Sequence, residues 1–335
     1  MNVIIPMAGM GKRMRPHTLT IPKPLVPIAG KPIVQRLVED IAKVCHQPVQ
    51  HIAFIIKSDF GAGIEQKLLE IAQMQGAKGH ICYQDEPLGT AHAILCAQQF
   101  LEGPTVIAFA DTLFKADFIM PADAESAIWV QKVEDPSAFG VIKLNENGEI
   151  AAFVEKPKEF VSDLAIIGIY YVRHGAALRD ALQYLIDNDI KEKGEYQLTN
   201  ALDNLRKNGM RFVPCQINEW LDCGNKDATV FTNQRYLEYI KEQPLIATSA
   251  TIEHSVIIPP VFIGEGVIIT HSVVGPHVSV GKNTQINRSV VQNTIIQESS
   301  VLDALNLSNA MIGNFVEYSG TPVDISLGDY NVIKT

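Results

Sequence analysis

Short apolar runs alternate with helical patterns over the first 245 residues of the chain. The runs "NVIIPM", "HIAFIIK" and "TVIAFAD" each have the length and composition of a buried strand. Between the first two, Ile33, Leu37, Ile41 and Val44 recur at the spacing of one helical face, and "GIEQKLLEIAQ" and "AHAILCAQQF" have a similar pattern. Apolar strands separated by helices are typical of a parallel sheet that is covered on both faces. The pattern therefore predicts an α/β domain over residues 1–240.

The second half of this region adds antiparallel elements to the predicted sheet. The stretch "FGVIKLNENGEIAAFVEKP" reads as two strands around an Asn-Gly turn, which is typical of a hairpin. "LAIIGIYYV" is a further strand, and "YQLTNALDNLRKNG" is a helix that stops at Gly209. "NKDATVFTNQRYLEYIKEQP" is predicted to be a connecting helix ended by Pro244. We therefore expect a mixed, mostly parallel sheet.

Beyond residue 245 the helical spacing disappears and aliphatic residues recur every five or six positions. A fixed short repeat indicates a solenoid, in which each unit buries its apolar face by stacking on its neighbours. Hexads of this kind build a β-helix with triangular coils, so we predict a second domain over residues 246–335. The alternative, a sandwich of short strands, would need strict alternation and turn clusters every 8 to 12 residues or so. The inward aliphatic positions are predicted to be Ile263, Ile269, Val274, Val280, Ile286 and Val291.

Composition narrows the functional classes. The 335 residues are 47% apolar and 19% charged, as in ordinary two-domain globular proteins, and the net charge of −9 argues against nucleic acid or an anionic membrane as partner. Five cysteines form no C-x-x-C pair, which suits a reducing compartment. No apolar run approaches the length of a membrane span, and the N-terminus reads as a strand rather than a signal peptide. We expect a soluble, cytoplasmic protein.

The N-terminus departs from this acidic background. Residues 1–38 hold six Lys or Arg and no Asp or Glu, next to the turn Gly9-Met10-Gly11. A strand, a glycine-containing turn and a helix can cradle a phosphate, because glycine lets backbone N–H groups approach the anion. The pattern is neither G-x-G-x-x-G nor a Walker loop. Arg13 and Lys23 have no acidic neighbour in this segment, which favours a polyphosphate site over a solvated basic surface; a structural ion pair would need a partner from elsewhere in the chain.

These residues also carry a family resemblance. "AGMGKRMRPHT…IPKPLVPIAGKPI" resembles the signature of sugar-1-phosphate nucleotidylyltransferases, glucose-1-phosphate thymidylyltransferases in particular. "QDEPLGTAHA", "FAD", "FG", "VEKP", "IIGIYY", "EYQLTNAL" and "WLDCGN" follow in the order of the family, and the hexads match its C-terminal repeats. The resemblance covers nearly the whole chain. It implies a Rossmann-like nucleotidyltransferase domain followed by a left-handed parallel β-helix, and a Mg²⁺-dependent enzyme.

The resemblance also implies roles for individual residues. Arg13 and Lys23 would be catalytic, acting on the triphosphate, and Gln84 would read the edge of a pyrimidine base above Gly89. The nucleotide would contact Ala8, Gly9, Gly11, Arg13, Gln84, Gly89 and Asp111. The sugar phosphate would contact Gly140, Glu155, Lys156 and Ile167. Mg²⁺ would be held by Asp111, at the end of a strand, and Asp222, in a short polar turn.

The implied reaction transfers a nucleotidyl group to a sugar 1-phosphate, with dTTP and glucose 1-phosphate as the expected pair and UTP second. GTP with mannose 1-phosphate, a hexapeptide acyltransferase and a non-catalytic sugar-nucleotide-binding subunit remain alternatives. Three departures from the family pattern bear on substrate choice: Lys12 for Thr or Ser, Ala110 for Gly, and Asn200 for Asp. The β-helix is expected to mediate homo-oligomer formation.

Overall fold

The computed structural model describes residues 1–9, 11–116, 120, 124–321, 325–327 and 329–330, so Met10 of the glycine turn and the last five residues lie outside the described part. The chain forms two compact units. We call them the N-terminal unit (1–26 and 31–232) and the C-terminal unit (27–30 and 233–335). Within the described ranges, no helix is both long and apolar enough to cross a membrane.

The N-terminal unit contains most of the helices and the larger sheet. The helices up to residue 240 are α1 Ile33–Val44, α2 Ala62–Met74, α3 Thr90–Leu95, α4 Gly175–Asp187, α5 Leu198–Lys207 and α6 Lys226–Ile240. The strands over the same range are β1 Asn2–Pro6, β2 Pro27–Ile28, β3 Lys31–Pro32, β4 His51–Ile56, β5 Lys78–Tyr83, β6 Thr105–Ala108, β7 Thr112–Lys115, β8 Ser126–Lys132, β9 Gly140–Leu144, β10 Ile150–Glu155, β11 Leu164–Val172, β12 Val213–Gln216 and β13 Glu219–Asp222. The boundary between the two units falls inside α6.

The main sheet is mixed, as predicted. Its strand order is β10-β9-β11-β6-β1-β4-β5, with β8 beside β11 and β12 beside β8. The predicted strands β1, β4 and β6 pair in parallel, and β5 continues the parallel half beyond β4. β11 runs antiparallel to β6, and β9 with β10 forms the predicted hairpin. The α/β class is confirmed.

Burial explains the parallel half of the sheet. Val3, Ile4 and Ile5 of β1 are at most 1% exposed, so both faces of this strand are covered, as its continuous apolar run predicts.

One predicted helix was too long: "AHAILCAQQF" is helical only to Leu95. The N–H of Cys96 is shared between the carbonyls of His92 and Ala93, and a 3₁₀ turn follows. This tightening ends α3.

The C-terminal unit is a β-helix. Its strands are β14 Thr251–Glu253, β15 Val256–Ile257, β16 Val261–Ile263, β17 Ile268–Thr270, β18 Val273–Val274, β19 Val278–Val280, β20 Gln285–Asn287, β21 Val290–Gln292, β22 Ile295–Ile296, β23 Val301–Asp303, β24 Asn306–Ser308, β25 Met311–Ile312 and β26 Glu317–Ser319. They form three parallel sheets of five, four and four strands. All six predicted inward aliphatics are at most 1% exposed. The sandwich alternative is therefore wrong, and the left-handed β-helix class is confirmed.

Candidate active site

A cavity of about 420 Å³ lies at the carboxyl ends of the parallel strands. Its lining includes Pro6 at the end of β1, Gln84 just after β5, and Phe109 just after β6. Ligand groups conventionally gather at this edge of an open α/β sheet. The predicted nucleotide and catalytic residues all line it: Ala8, Gly9, Gly11, Arg13, Lys23, Gln84, Gly89 and Asp111. The structure thus brings together side chains that are up to about a hundred positions apart in sequence.

The glycine turn shapes one wall of this cavity. A Cβ added at Gly9 would have no atom within 4 Å, so the turn leaves open space there. Gly11 has a φ of +56°, and a Cβ at this position would lie 2.9 Å from the Cβ of Lys23. Gly11 is therefore needed for the left-handed turn and for the close approach of the Lys23 segment.

Lys23 forms an ion pair with Asp111. Their Nζ and Oδ2 atoms are 3.0 Å apart, and Lys23 is only 7% exposed. A short 3₁₀ turn, Lys23–Leu25, sets the direction of this lysine after Pro22. The sequence indicated that any acidic partner must come from outside the basic N-terminal segment, and Asp111 is that partner.

The second predicted metal ligand, Asp222, lies beside Asp111. Strands β7 and β13 pair antiparallel so that Asp222 faces Thr112, and the N–H of Cys223 donates to the carbonyl of Asp111 at 3.0 Å. Asp222 ends a strand instead of occupying a turn, and its carbonyl accepts a hydrogen bond from the Thr232 hydroxyl. Burial raises the pKa of Asp222, and the nearby Asp111 charge raises it further. Lys23 and Arg13 oppose this effect, so two anions and two cations share one small region.

Gln84 and Gly89 lie next to one another at the other side of the cavity. The Nε2 of Gln84 lies 3.2 Å from the Gly89 carbonyl oxygen and 3.1 Å from the Nδ1 of His92. Gly89 has a φ of +113°, and a Cβ there would come within 2.5 Å of the Tyr196 carbonyl oxygen. The sequence suggested that a glycine at position 89 lets the base lie close to the backbone. The structure shows that the backbone of Tyr196 also leaves no space for a larger residue there.

The predicted sugar residues form a second group on the β9–β10 hairpin. Glu155 faces Gly140 across the ladder, and a Cβ on Gly140 would lie 3.1 Å from a Glu155 carboxylate oxygen. The Thr199 hydroxyl donates to Glu155 at 3.3 Å. Lys156 has a φ of +43° and lies 3.4 Å from Glu155 through its ammonium group.

Ile167 and Tyr170 connect the two groups. The pairing of β11 with β8 is interrupted between Ile166 and Tyr170, a bulge that includes Ile167. Bulges release backbone groups from the ladder, which suits the predicted backbone contact from Ile167. Burial raises the pKa of Tyr170, and the charges of Glu155 and Asp111 raise it further. Tyr170 therefore lies close enough to Glu155 of the sugar group and to Asp111 of the cavity for both charges to raise its pKa.

Sequence reasoning did not assign a role to several lining residues. Thr90, Phe109, Glu195 and Gly224 all line the cavity. All four lie inside motifs that the sequence displayed, Phe109 in "FAD", but no role was assigned to them. Lys12, noted as a departure from the family pattern, also lines it and adds a third cation.

The histidines of the C-terminal unit lie at corners of the coils. His254, His271 and His277 all have a positive φ, and the rings of His254 and His271 stack with centroids 5.2 Å apart. His277 Nε2 lies 2.7 Å from a Glu238 carboxylate oxygen. Within the described residues, no group of three or more His, Cys, Asp or Glu side chains has metal-binding geometry.

The chain matches two family profiles. The nucleotidyl transferase family matches residues 2–238, and a GlmU-like C-terminal hexapeptide family matches residues 238–314. Because the first profile covers most of the chain, the protein belongs to the nucleotidyl transferase family. The family membership predicted from the sequence motifs is confirmed, as are the hexapeptide repeats.

The chain is also similar to individual proteins with different names. The bifunctional protein GlmU of Methanococcus vannielii is 31% identical over 80% of this chain and 62% of its own length. The glucose-1-phosphate thymidylyltransferase of Streptomyces antibioticus is 30% identical over 79% of this chain and 74% of its own. A crystal structure of UDP-glucose pyrophosphorylase with UDP-glucose has a TM-score of 0.57 and 26% identity, over 71% of this chain and 98% of its own. The chain spans about three fifths of the length of its GlmU relatives.

Proposed function

We propose that the protein transfers a nucleotidyl group from a pyrimidine nucleoside triphosphate to a sugar 1-phosphate and releases pyrophosphate. The favoured pair is dTTP with glucose 1-phosphate, and UTP is the second choice. The observation that carries the proposal is one cavity that holds Arg13, Lys23 and Asp111 together with the amide of Gln84. A polyphosphate and a planar base need these two kinds of group at opposite sides of one site.

In this reaction an oxygen of the sugar phosphate attacks the α-phosphorus, and the bond to the bridging oxygen of pyrophosphate breaks. Both reactants are anions, so the protein must neutralise charge and align oxygens, and no side-chain nucleophile is required. Arg13 would bind the departing pyrophosphate, and Lys23 would move from Asp111 to the phosphates of both substrates. Backbone N–H groups of the glycine turn would support the triphosphate.

Asp111 and Asp222 fit a Mg²⁺ ion. Two adjacent carboxylates raise each other's cost of ionisation, as the pKa of Asp222 indicates, and a bound cation would relieve this repulsion. Magnesium prefers oxygen ligands and is commonly held by one or two carboxylates together with phosphate oxygens and water. When bound, it would stabilise negative charge on the α-phosphate. Glu155 would accept hydrogen bonds from sugar hydroxyls, and Lys156 would pair with the sugar phosphate.

The choice of nucleotide rests on Gln84 and on the relatives. One relative is named for thymidylyl transfer and one solved structure holds UDP-glucose, so both support a pyrimidine nucleotide. The amide of Gln84 can match the hydrogen-bonding edge of uracil or thymine.

Pyrophosphate release from a matrix of dTTP, UTP, CTP, GTP and ATP against several sugar 1-phosphates tests the proposal. We expect the highest rate with dTTP or UTP plus glucose 1-phosphate, and loss of that rate when EDTA removes the metal. Lys23→Met should abolish turnover, whereas Lys132→Met on the surface should not. If GTP with mannose 1-phosphate gives the highest rate, the pyrimidine assignment is wrong.

A further inference from the structure

The amide of Gln84 is held in one orientation by the chain itself. A carbonyl oxygen can only accept a hydrogen bond, so the Gln84 atom that lies 3.2 Å from the Gly89 carbonyl oxygen must be the NH₂ group. The oxygen and nitrogen of this amide are therefore assigned by chemistry and cannot be exchanged without placing two acceptors face to face. Gln84 is 9% exposed, so solvent does little to replace a lost partner.

His92 uses the second hydrogen of the same NH₂ group. Its Nδ1 lies 3.1 Å from Gln84 Nε2, and this nitrogen must accept because the amide nitrogen donates. The proton of the neutral ring is then on Nε2. With both amide hydrogens occupied, the carbonyl oxygen Oε1 is the group that Gln84 can offer to a ligand in the cavity.

We propose that His92 is a positioning residue that makes Gln84 a hydrogen-bond acceptor toward the base and so selects bases that carry a ring N–H. Uracil and thymine have this N–H at N3 and guanine has it at N1, whereas cytosine and adenine have an acceptor nitrogen at the matching place. The proposal rests on the proposed function, in which Gln84 reads the base. It predicts that CTP and ATP are poor substrates, whereas guanine, which also has the N–H, would have to be separated from the pyrimidines by its size.

The contacts of His92 allow its effect on Gln84 to be tested apart from its part in the structure of α3. His92 is half-buried on α3, and its neighbours Thr90 and Ala93 line the cavity, whereas His92 is not among the described lining residues. Its backbone carbonyl accepts the N–H of Cys96 in α3, a bond that any side chain at position 92 would keep. The imidazole itself contacts Gln84, so replacing the ring tests the contact without removing the backbone bond.

The experiment uses two variants of the full chain that have nearly the same shape and differ in whether the side chain can accept a hydrogen bond. Asn can place its Oδ1 near the position of the histidine Nδ1 and still accept from Gln84, whereas Leu fills similar space with no acceptor. We expect His92→Leu to raise KM for UTP and dTTP by roughly threefold to tenfold, the worth of one hydrogen bond, and to reduce discrimination against CTP. His92→Asn should keep both the KM for UTP and dTTP and the discrimination against CTP close to their wild-type values. KM for the sugar 1-phosphate should stay within about twofold in both variants, and exposed His174→Leu serves as the matched control.

The outcomes separate this inference from the proposed function. If Gln84→Ala changes base preference but His92→Leu does not, the His92 role is overturned and the base reader stands. If no nucleotide and sugar phosphate pair releases pyrophosphate, the proposed function fails.

A ¹⁵N spectrum of the histidine-labelled wild-type protein tests the tautomer directly and does not require the Leu variant to fold. The His92 signal is assigned by its loss in His92→Asn. A proton on Nε2 supports the inference, and a proton on Nδ1 overturns it.

Discussion

Asp111 and Asp222 lie beside Arg13 and Lys23, and the pKa of Asp222 responds to the charges of the other three residues. Burial and the Asp111 carboxylate both raise the pKa of Asp222, and the two cations lower it. The backbone holds the carboxylates in place, since the Gly224 N–H donates to Asp222 at 2.9 Å and the Cys223 N–H donates to the carbonyl of Asp111. The charge of Asp222 can therefore be removed without removing these backbone contacts.

Replacing Asp222 by Asn should leave the fold intact and lower turnover by orders of magnitude, because the proposed metal site would lose one of its two carboxylates. Pyrophosphate release at saturating Mg²⁺ measures the turnover, and circular dichroism checks the fold. Asp187→Asn, at an exposed helix end, is the matched control. Near-normal turnover of the Asp222 variant would remove this residue from the metal site.

Gly89→Ala should lower the free energy of unfolding by more than the cost of placing alanine at a positive φ. Its Cβ would lie within 2.7 Å of two backbone atoms of Tyr196, which also bonds to the flanking residues Leu88 and Ala91. Gly103 has a φ of +73° but open space, so Gly103→Ala reports the cost of the backbone conformation by itself. We expect about 1 kcal/mol for Gly103→Ala and at least about 2 kcal/mol more for Gly89→Ala, measured by urea unfolding. Equal losses would show that the segment moves away from the clash.

At the scale of elements, the amino ends of β4 and β5 carry a histidine pair far from the cavity edge of the sheet. His51 Nδ1 and His80 Nε2 are 3.0 Å apart, and the rings of both lie against Phe100. Two ring nitrogens can share only one hydrogen in such a contact, so protonation of both rings removes it. Burial lowers the pKa of His80, and the charges of His51 and Lys78 lower it further.

This pair should make stability depend on pH. A lowered pKa in the folded state means that the unfolded chain binds more protons once the pH falls below the ordinary value of 6.5. The free energy of unfolding should therefore decrease as the pH falls through about 6.5 and continue to decrease until the folded-state pKa is reached. Urea unfolding between about pH 8 and pH 5.5 measures it, and His80→Gln should flatten part of the slope. An unchanged slope in this variant would assign the effect to other groups, such as the half-buried His17, whose pKa is also lowered by burial.

At the scale of the whole molecule, the sheets of the β-helix leave apolar side chains exposed. Val256 on β15 and Val290 on β21 are 57% and 48% exposed, and Val273 lies between them on β18. The three valines stack in register on one parallel sheet, which we call the valine face. Contiguous exposed apolar residues mark interaction surfaces, and closed symmetric assembly is the usual arrangement for such proteins.

We therefore expect the full-length protein to form a dimer or trimer through the valine face. Val290→Glu should lower the mass measured by light scattering, because it places a charge in the contact. Gln285→Glu adds the same charge to an exposed position on β20, which belongs to another sheet, and should leave the mass unchanged. A monomeric full-length protein at micromolar concentration would contradict the expected oligomer.

The sequence by itself determined the elements whose patterns are local. Hydrophobic period is set by which faces of a strand or helix are buried, so β1, β4, β6, α1 and the hexad coils could be predicted from spacing alone. The motifs likewise selected Arg13, Lys23, Gln84 and Asp111 as candidate nucleotide-binding residues, and the structure brings all four together at one cavity.

Only the tertiary structure decided which of these residues meet. The ion pair of Lys23 with Asp111, the approach of Asp222 through β13 and the contact of His92 with Gln84 depend on strand order and on helix placement. The need for Gly89 against Tyr196 also depends on a long-range contact. A sequence records which side chains are available, but distances between remote residues are fixed by packing and hydrogen bonding of the whole unit.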